Sequence, residues 1–205
     1  DEDTLIVFTS DQGFAWGPHG FKSMVSPYHA SVAAHLIIRV PVAKAKATAG
    51  RVVSEPVSGV DLPPTFFAQA GLKLPWSMHG EDLSPLLESP KAKRQSPAML
   101  VHTGKLYGSA TEKVPTADDP ALYHGPGIPW YVMLAEGRYK YVRNLIEGEV
   151  EELYDLKKDP EELNNLALKP RHAKRLAGLR AKATEELRRT KAPFVETMPK
   201  PSTLK

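Results

Sequence analysis

No cysteine occurs among the 205 residues. That excludes disulfides, thiolate metal sites and a cysteine nucleophile within this stretch, and leaves the redox compartment open. No apolar run approaches the roughly 20 residues that a membrane-spanning helix needs, and no cleavable leader pattern is visible. Charge of one sign is also scarce. The 27 basic and 24 acidic residues leave a net charge of +3, and the basic residues are not gathered into a patch interleaved with aromatics. That argues against a nucleic-acid reader, although a mildly basic surface can still steer an anionic substrate. Internal repeats are absent. What is present is ordinary for a globular chain: 41% hydrophobic and 25% charged residues, with enough length for one large or two small domains.

The chain opens DEDTLIVFTSDQGFAWGPHG. Leu5-Ile6-Val7-Phe8 is an uninterrupted apolar run, of the kind buried on both faces in parallel sheets. A core strand this close to Asp1 leads to the expectation that an N-terminal portion of the domain precedes it. Leu36-Ile37-Ile38-Arg39-Val40, stopped by Pro41, predicts a second strand, and Ala98-Met99-Leu100-Val101 a third. VDLPPTFFAQA predicts a short helix, with Asp61 at its N-cap, prolines in its first turn and Gly71 past its end. Residues 13 to 30 and 104 to 129 read as long loops, which in compact domains are often functional.

Later, YVMLAEGRYKYVRN reads as two strands about a Glu136-Gly137 turn, and ELYDL as one more strand. Asp159-Pro160-Glu161-Glu162 reads as a helix start, with Glu162 placed for a capping box. A last helix over 170 to 190 puts Leu176, Leu179, Ala183 and Leu187 on one face. From Ala192 the proline-bearing tail reads as extended or disordered. The order predicts an α/β portion over 1–104, a small α+β subdomain over 105–191 and an extended tail over 192–205.

Few residues stand where chemistry would need them. Asp11-Gln12-Gly13 follows the first strand, and loops at the carboxyl ends of parallel strands are where α/β proteins place ligands. A carboxylate and an amide oxygen are hard donors suited to calcium or magnesium, although Asp-x-Gly is also what an ordinary turn looks like. His19, with Lys22 close behind, could give a proton to a leaving group and a charge to an anion. His102 follows the third strand and His124 sits in the second loop, where either could line a cleft between the two portions. His29 and His35 carry no such pattern. The tyrosines of Tyr139-Lys140-Tyr141 read as packing, and the carboxylates from Glu147 to Glu152 as a solvated acidic turn.

Taken together the segments are less generic. TLIVFTSDQG, HG, a tyrosine, LIIRVP, VSGVDLPPTFFAQAGL, GRYKYVRN and ELYDLKKDPEELNNLA follow one another, in that order, as they do in sulfatases. From about Thr4 to Arg189 the chain resembles the C-terminal half of the sulfatase family, of the arylsulfatase and choline-sulfatase type. ELYDL-x-x-DP-E-E-x-N-N-L-A after GRYKY is the most specific segment. The resemblance implies an alkaline-phosphatase-like α/β fold, entered at the C-terminal part of its main sheet and followed by a small subdomain with an antiparallel sheet. It implies a calcium-dependent sulfuric ester hydrolase acting on a sulfated small molecule or carbohydrate, without nucleic acid or a membrane span. Asp11 and Gln12 would be calcium ligands, His19 and Lys22 catalytic, and His102 and His124 in contact with substrate. Relatives are often periplasmic or secreted.

The family's nucleophile is a formylglycine made within a C/S-x-P-S-R motif, and no such stretch occurs here. The expectation is that it belongs to a missing N-terminal half of the same fold, and that this chain taken alone is inactive. Other departures lie inside the chain. The family places a sulfate-binding lysine four residues before a Tyr-Glu or Tyr-Asp pair. Here Tyr28 fits the tyrosine, but Met24 stands for the lysine and His29 for the acid. Ala33 stands for a usual arginine and His35 for a usual proline. These departures keep open an alternative: a non-catalytic sulfatase-like protein that binds an anionic glycan or a partner. A phosphoester hydrolase of the same superfamily is a third reading, although no His-rich ligand set favours it.

Overall fold

The computed structural model describes residues 2–41, 50–89, 91–104, 110–124 and 127–202. Gly125 and most of the start of the second loop lie outside them. The elements in chain order are strands β1 (Ile6–Thr9), β2 (Ala15–Trp16) and β3 (Lys22–Ser23), helix α1 (His29–Val32), strand β4 (Leu36–Arg39), helices α2 (Leu62–Ala70) and α3 (Ser84–Glu88), strand β5 (Ala98–His102), strands β6 (Tyr123–His124), β7 (Ile128–Pro129), β8 (Tyr131–Glu136), β9 (Tyr139–Asn144) and β10 (Glu152–Asp155), and helix α4 (Ala173–Arg189).

The predicted first and second strands both form, but they pair with each other, antiparallel, in the register Ile6↔Arg39 and Phe8↔Ile37. They are also not buried among the described residues. Ile6 is 44% exposed, Phe8 64% and Ile37 62%. A continuous apolar run needs cover on both faces, and the described residues supply little. The predicted third strand, β5, joins a different sheet: a four-stranded antiparallel one in the order β10-β9-β8-β5.

α2 forms as expected. Pro63 and Pro64 sit in its first turn, and Gly71 ends it in the left-handed region at φ 71°, where a side chain would be strained. Asp61 stands at the N-cap position of α2, but its side chain makes no cap hydrogen bond there. Its fully buried carboxylate accepts from the backbone N–H of Ser58 (2.7 Å) and Glu81 (2.8 Å) and from both terminal nitrogens of Arg94. An anion shut away from water needs this many partners.

The four-stranded sheet has a core on each face. On one, α4 lays Leu179, Ala183 and Leu187 against Val132, Leu134, Tyr141 and Leu153, as its apolar stripe predicts. Fully burying leucines of this kind stabilises by about 2 kcal/mol each. On the other face, Tyr131, Met133 and Val142 pack against Phe21 and Val25 of the first long loop and Val32 of α1. This second contact locks the early part of the chain to the later sheet.

Two expectations about the end of the chain change. No helix starts at Asp159. Its carboxylate accepts from the N–H of Leu163 and Asn164 in a tight local turn, and Glu162 lies in the left-handed region at φ 58°. The side chain of Glu162 is buried elsewhere rather than folded back as a box. The segment 192–202 is packed rather than loose. Phe194 is 2% exposed against Trp130, Arg143 donates to the carbonyl of Pro199, and Ser202 N–H donates to Glu149 O.

Candidate functional site

Asp11 and Gln12 follow the end of β1 after Ser10, where the chain bends. Gln12 N–H donates to Asp11 Oδ1 at 3.0 Å, and Ser10 Oγ–H to Gln12 O at 3.1 Å. Gly13 is required by close approach: a Cβ there would lie 2.5 Å from Ala30 O. Its N–H donates to Ser31 O at 3.0 Å, so the turn is backed onto α1.

A cleft of about 240 Å³ opens beside this turn. Asp11 and Gln12 line it together with Met24, His102 and Tyr131, over an apolar floor of Val25, Val32, Leu100 and Val101. Thus β1, the first loop and β5 converge on one space. The His102 ring stacks on Tyr131 with centroids 5.2 Å apart and meets His124 edge-on at 5.3 Å. Nε2 of His102 is shut off from solvent and hydrogen-bonds to nothing among the described residues. Burial, and then the neighbouring His124, hold the His102 pKa below its ordinary value. His102 therefore stands as a neutral imidazole with an unsatisfied buried nitrogen, which is unusual enough to require a partner.

The other expected residues stand apart from this cleft. Nε2 of His19 donates to Glu161 O at 2.9 Å, and its ring stacks flat on Tyr28 at 3.8 Å. Lys22 is exposed, with Nζ 5.6 Å from the ring of Trp16. Neither lines the cleft. The position of the usual lysine is occupied by Met24, whose sulfur accepts from Gln12 Nε2 at 3.1 Å. That contact fixes the Gln12 amide nitrogen and leaves its oxygen as the hard donor. Among the described residues no group of at least 3 His, Asp or Glu side chains is placed to hold a metal ion. Asp11 and Gln12 fit calcium by type and share one turn, yet they supply only part of the six to eight oxygens, roughly, that calcium takes.

The sequence reading missed a buried polar network beneath the first loop. Tyr28 Oη–H donates to Glu152 Oε1 at 3.2 Å, and Tyr154 Oη–H to Glu152 Oε2 at 2.8 Å. Lys140 Nζ pairs with Glu162 Oε1 at 2.5 Å, with both side chains almost wholly buried. Burial pushes the Glu152 carboxyl up and the Lys140 ammonium down, the latter opposed by Glu162. Nearby, Glu151 is 3% exposed and held by Tyr141 (2.5 Å) and Arg180. The expected solvated turn is therefore exposed at Glu147 but drawn inward at Glu151 and Glu152. The available signal was Lys140 itself, a charge on a central strand whose two faces are both covered.

No protein-family model matches the chain. Among curated proteins it is 31% identical over 191 residues to a Delta 4,5-hexuronate-2-O-sulfatase of Bacteroides thetaiotaomicron, covering 92% of this chain and 36% of that protein. The fold is that of a solved structure described in complex with its substrate D-glucosamine-2-N,6-O-disulfate, with a TM-score of 0.66 and 25% identity over 93% of this chain and 35% of that one. The chain is a sulfatase homologue. It spans about a third of the length of the sulfatases it matches, in the C-terminal part of their alkaline-phosphatase-like fold. The phosphonate monoester hydrolase of Agrobacterium radiobacter shares that fold with this sulfatase homologue at a TM-score of 0.66 and 27% identity, over 92% of this chain and 36% of that one.

Proposed function

We infer that this chain is the C-terminal portion of a calcium-dependent sulfatase hydrolysing the sulfate ester of a small molecule or carbohydrate. The observation that carries the reading is the cleft shared by Asp11, Gln12 and His102, with His124 against the latter. Asp11 and Gln12 would hold calcium jointly with ligands from the part of the relatives' length that this chain does not span. The formylglycine nucleophile would come from there too. That remaining part would also cover the exposed apolar face of β1 and β4, because so much apolar surface otherwise invites association. Held there by Asp11 and Gln12, calcium would supply charge stabilisation at the sulfuryl oxygens. His102, neutral and with a free Nε2, would hydrogen-bond the bound ester, and His124 would support it. The reading keeps His19 as leaving-group acid and Lys22 as a sulfate contact. A periplasmic or secreted site of action follows from the resemblance.

Met24 in the cleft favours a second reading, in which the parent protein binds an anionic glycan without cleaving it. A thioether supplies no charge to a sulfate. The likeness to a phosphonate hydrolase supports a third reading, a different ester. One experiment separates them. The product of the complete reading frame is assayed with para-nitrophenyl sulfate and with a phosphonate monoester, before and after chelation by EGTA. Sulfate release that is lost on chelation and falls roughly a hundredfold or more in Asp11→Ala is the expected result. Turnover of the phosphonate alone would replace the substrate class. No turnover, with binding of a sulfated glycan retained, would establish the non-catalytic reading.

A further inference from the structure

The turn that bears Asp11 and Gln12 is seated from the far end of the chain. Gly13 packs against α1 so closely that no side chain fits between them. The N–H of His29, where α1 begins, donates to Glu162 Oε2 at 2.5 Å across 133 residues of sequence. The other oxygen of Glu162 pairs with Lys140 Nζ at 2.5 Å, and the two side chains are 1% and 2% exposed. Glu162 takes a left-handed backbone conformation, at φ 58°, that is unfavourable for any residue with a Cβ. Its neighbour Glu161 offers the carbonyl that fixes His19, and His19 stacks on Tyr28, one residue before α1.

Stability alone gives little reason for such a pair. A buried ion pair is weak evidence for stabilisation, since packed apolar residues of similar volume often do as well. Apolar residues cannot supply the acceptor for the His29 amide. We propose that Glu162, held by Lys140, is a positioning residue that seats α1 and so fixes the Asp11–Gln12 turn at the cleft. The importance of that turn rests on the proposed sulfatase reading, but the contact does not.

Amide hydrogen exchange on the product of the complete reading frame tests it, with wild type, Glu162→Gln and the double variant Lys140→Met with Glu162→Leu. The double variant removes both buried charges, which keeps the site packed while deleting the acceptor. The expected result in both variants is exchange raised roughly tenfold or more at Gly13 and residues 29–33, with the amides of β8 and β9 as protected as in wild type. Unchanged exchange at Gly13 and 29–33 in the double variant would overturn the proposal. So would a rise spread evenly over β8 and β9, which a merely structural role gives, or failure of both variants to fold. Calcium titration of the product of the complete reading frame, followed calorimetrically, keeps the two readings apart. No binding would count against Asp11 and Gln12 as ligands and leave the exchange result standing.

Discussion

The strands of the β1–β4 pair are at least as apolar as those of the β10-β9-β8-β5 sheet, yet the two stand in opposite environments. Leu134, Tyr141, Val142 and Leu153 in the larger sheet have no exposed surface, because α4 covers one face and residues 21–32 part of the other. Phe8 and Ile37, cross-strand neighbours in the small ribbon, are both more than half exposed. A two-stranded ribbon is marginal alone in water. The difference shows that strand-forming sequence and burial are separate requirements. The first is met locally, whereas the second needs a partner layer, which the described residues provide only for the larger sheet.

The comparison can be broken from the protected side first. Asp61→Ala takes the close carboxylate from the Arg94 guanidinium, itself 5% exposed, and leaves only Glu81 at 3.6 Å. Removing one partner of a buried pair costs about 3–5 kcal/mol, and a fall of that size in urea-unfolding free energy is expected. A smaller fall would show that water reaches Arg94. Leu134→Ala opens a cavity between α4 and the sheet and costs about 2–5 kcal/mol. It lowers the midpoint of the sheet's unfolding, followed by the near-ultraviolet signal of Trp130. An unchanged midpoint would mean that the two-faced core does not hold this sheet.

Local pattern made much of this legible. Alternation and turn residues foretold the β8–β9 hairpin, Leu179, Ala183 and Leu187 foretold the buried face of α4, and the two prolines and Gly71 bracketed α2. Asp11 and Gln12 could be named as candidates because they come after the first predicted strand, and His102 because it closes the third. What stayed hidden was what distant neighbours set. Asp159-Pro160-Glu161-Glu162 carries the signs of a helix start, but the Lys140 charge and the His29 amide draw Glu162 into the interior instead. His19 and Lys22 lie near Asp11 in sequence and away from the cleft in space, because His19 is captured by Tyr28 and Glu161. The run from Leu5 to Phe8 reads as buried, and no stretch of sequence announces which part of a protein does the covering.

Acidification probes the seam between the two regions with a smaller effect. Burial holds the pKa of both His29 and His102 below 6.5. Unfolded, they take up protons near that value; folded, they resist until lower pH. The unfolded state therefore binds more protons in the interval, and stability falls as pH drops from 6.5 through the folded pKa values. Glu152 acts in the opposite sense, since burial raises its pKa and its charged form is disfavoured as pH rises above 4.5. The histidine part is isolated by difference. His102→Gln should flatten the loss of stability between neutral and mildly acid pH, and His124→Gln should move the His102 titration in proton NMR partway back toward 6.5. A His102 midpoint at or above 6.5 would show that its ring is solvated.

The smallest expected effect on stability comes from the exposed side of the comparison and sharpens it most. Phe8 is 64% exposed, so Phe8→Thr removes little buried surface and puts a β-branched, strand-favouring residue in its place. The urea-unfolding free energy should change by no more than about 0.5 kcal/mol. Self-association should change far more, because the same ring heads an apolar face shared with Ile37 and Ile6, and such faces drive aggregation when nothing covers them. Sedimentation velocity of the wild-type chain and of Phe8→Thr with Ile37→Thr should show large species in the first and a shift toward monomer in the second. A loss of stability comparable to that of Leu134→Ala, with no change in association, would mean that this face packs against the chain itself, and that the two regions differ less than their exposures indicate.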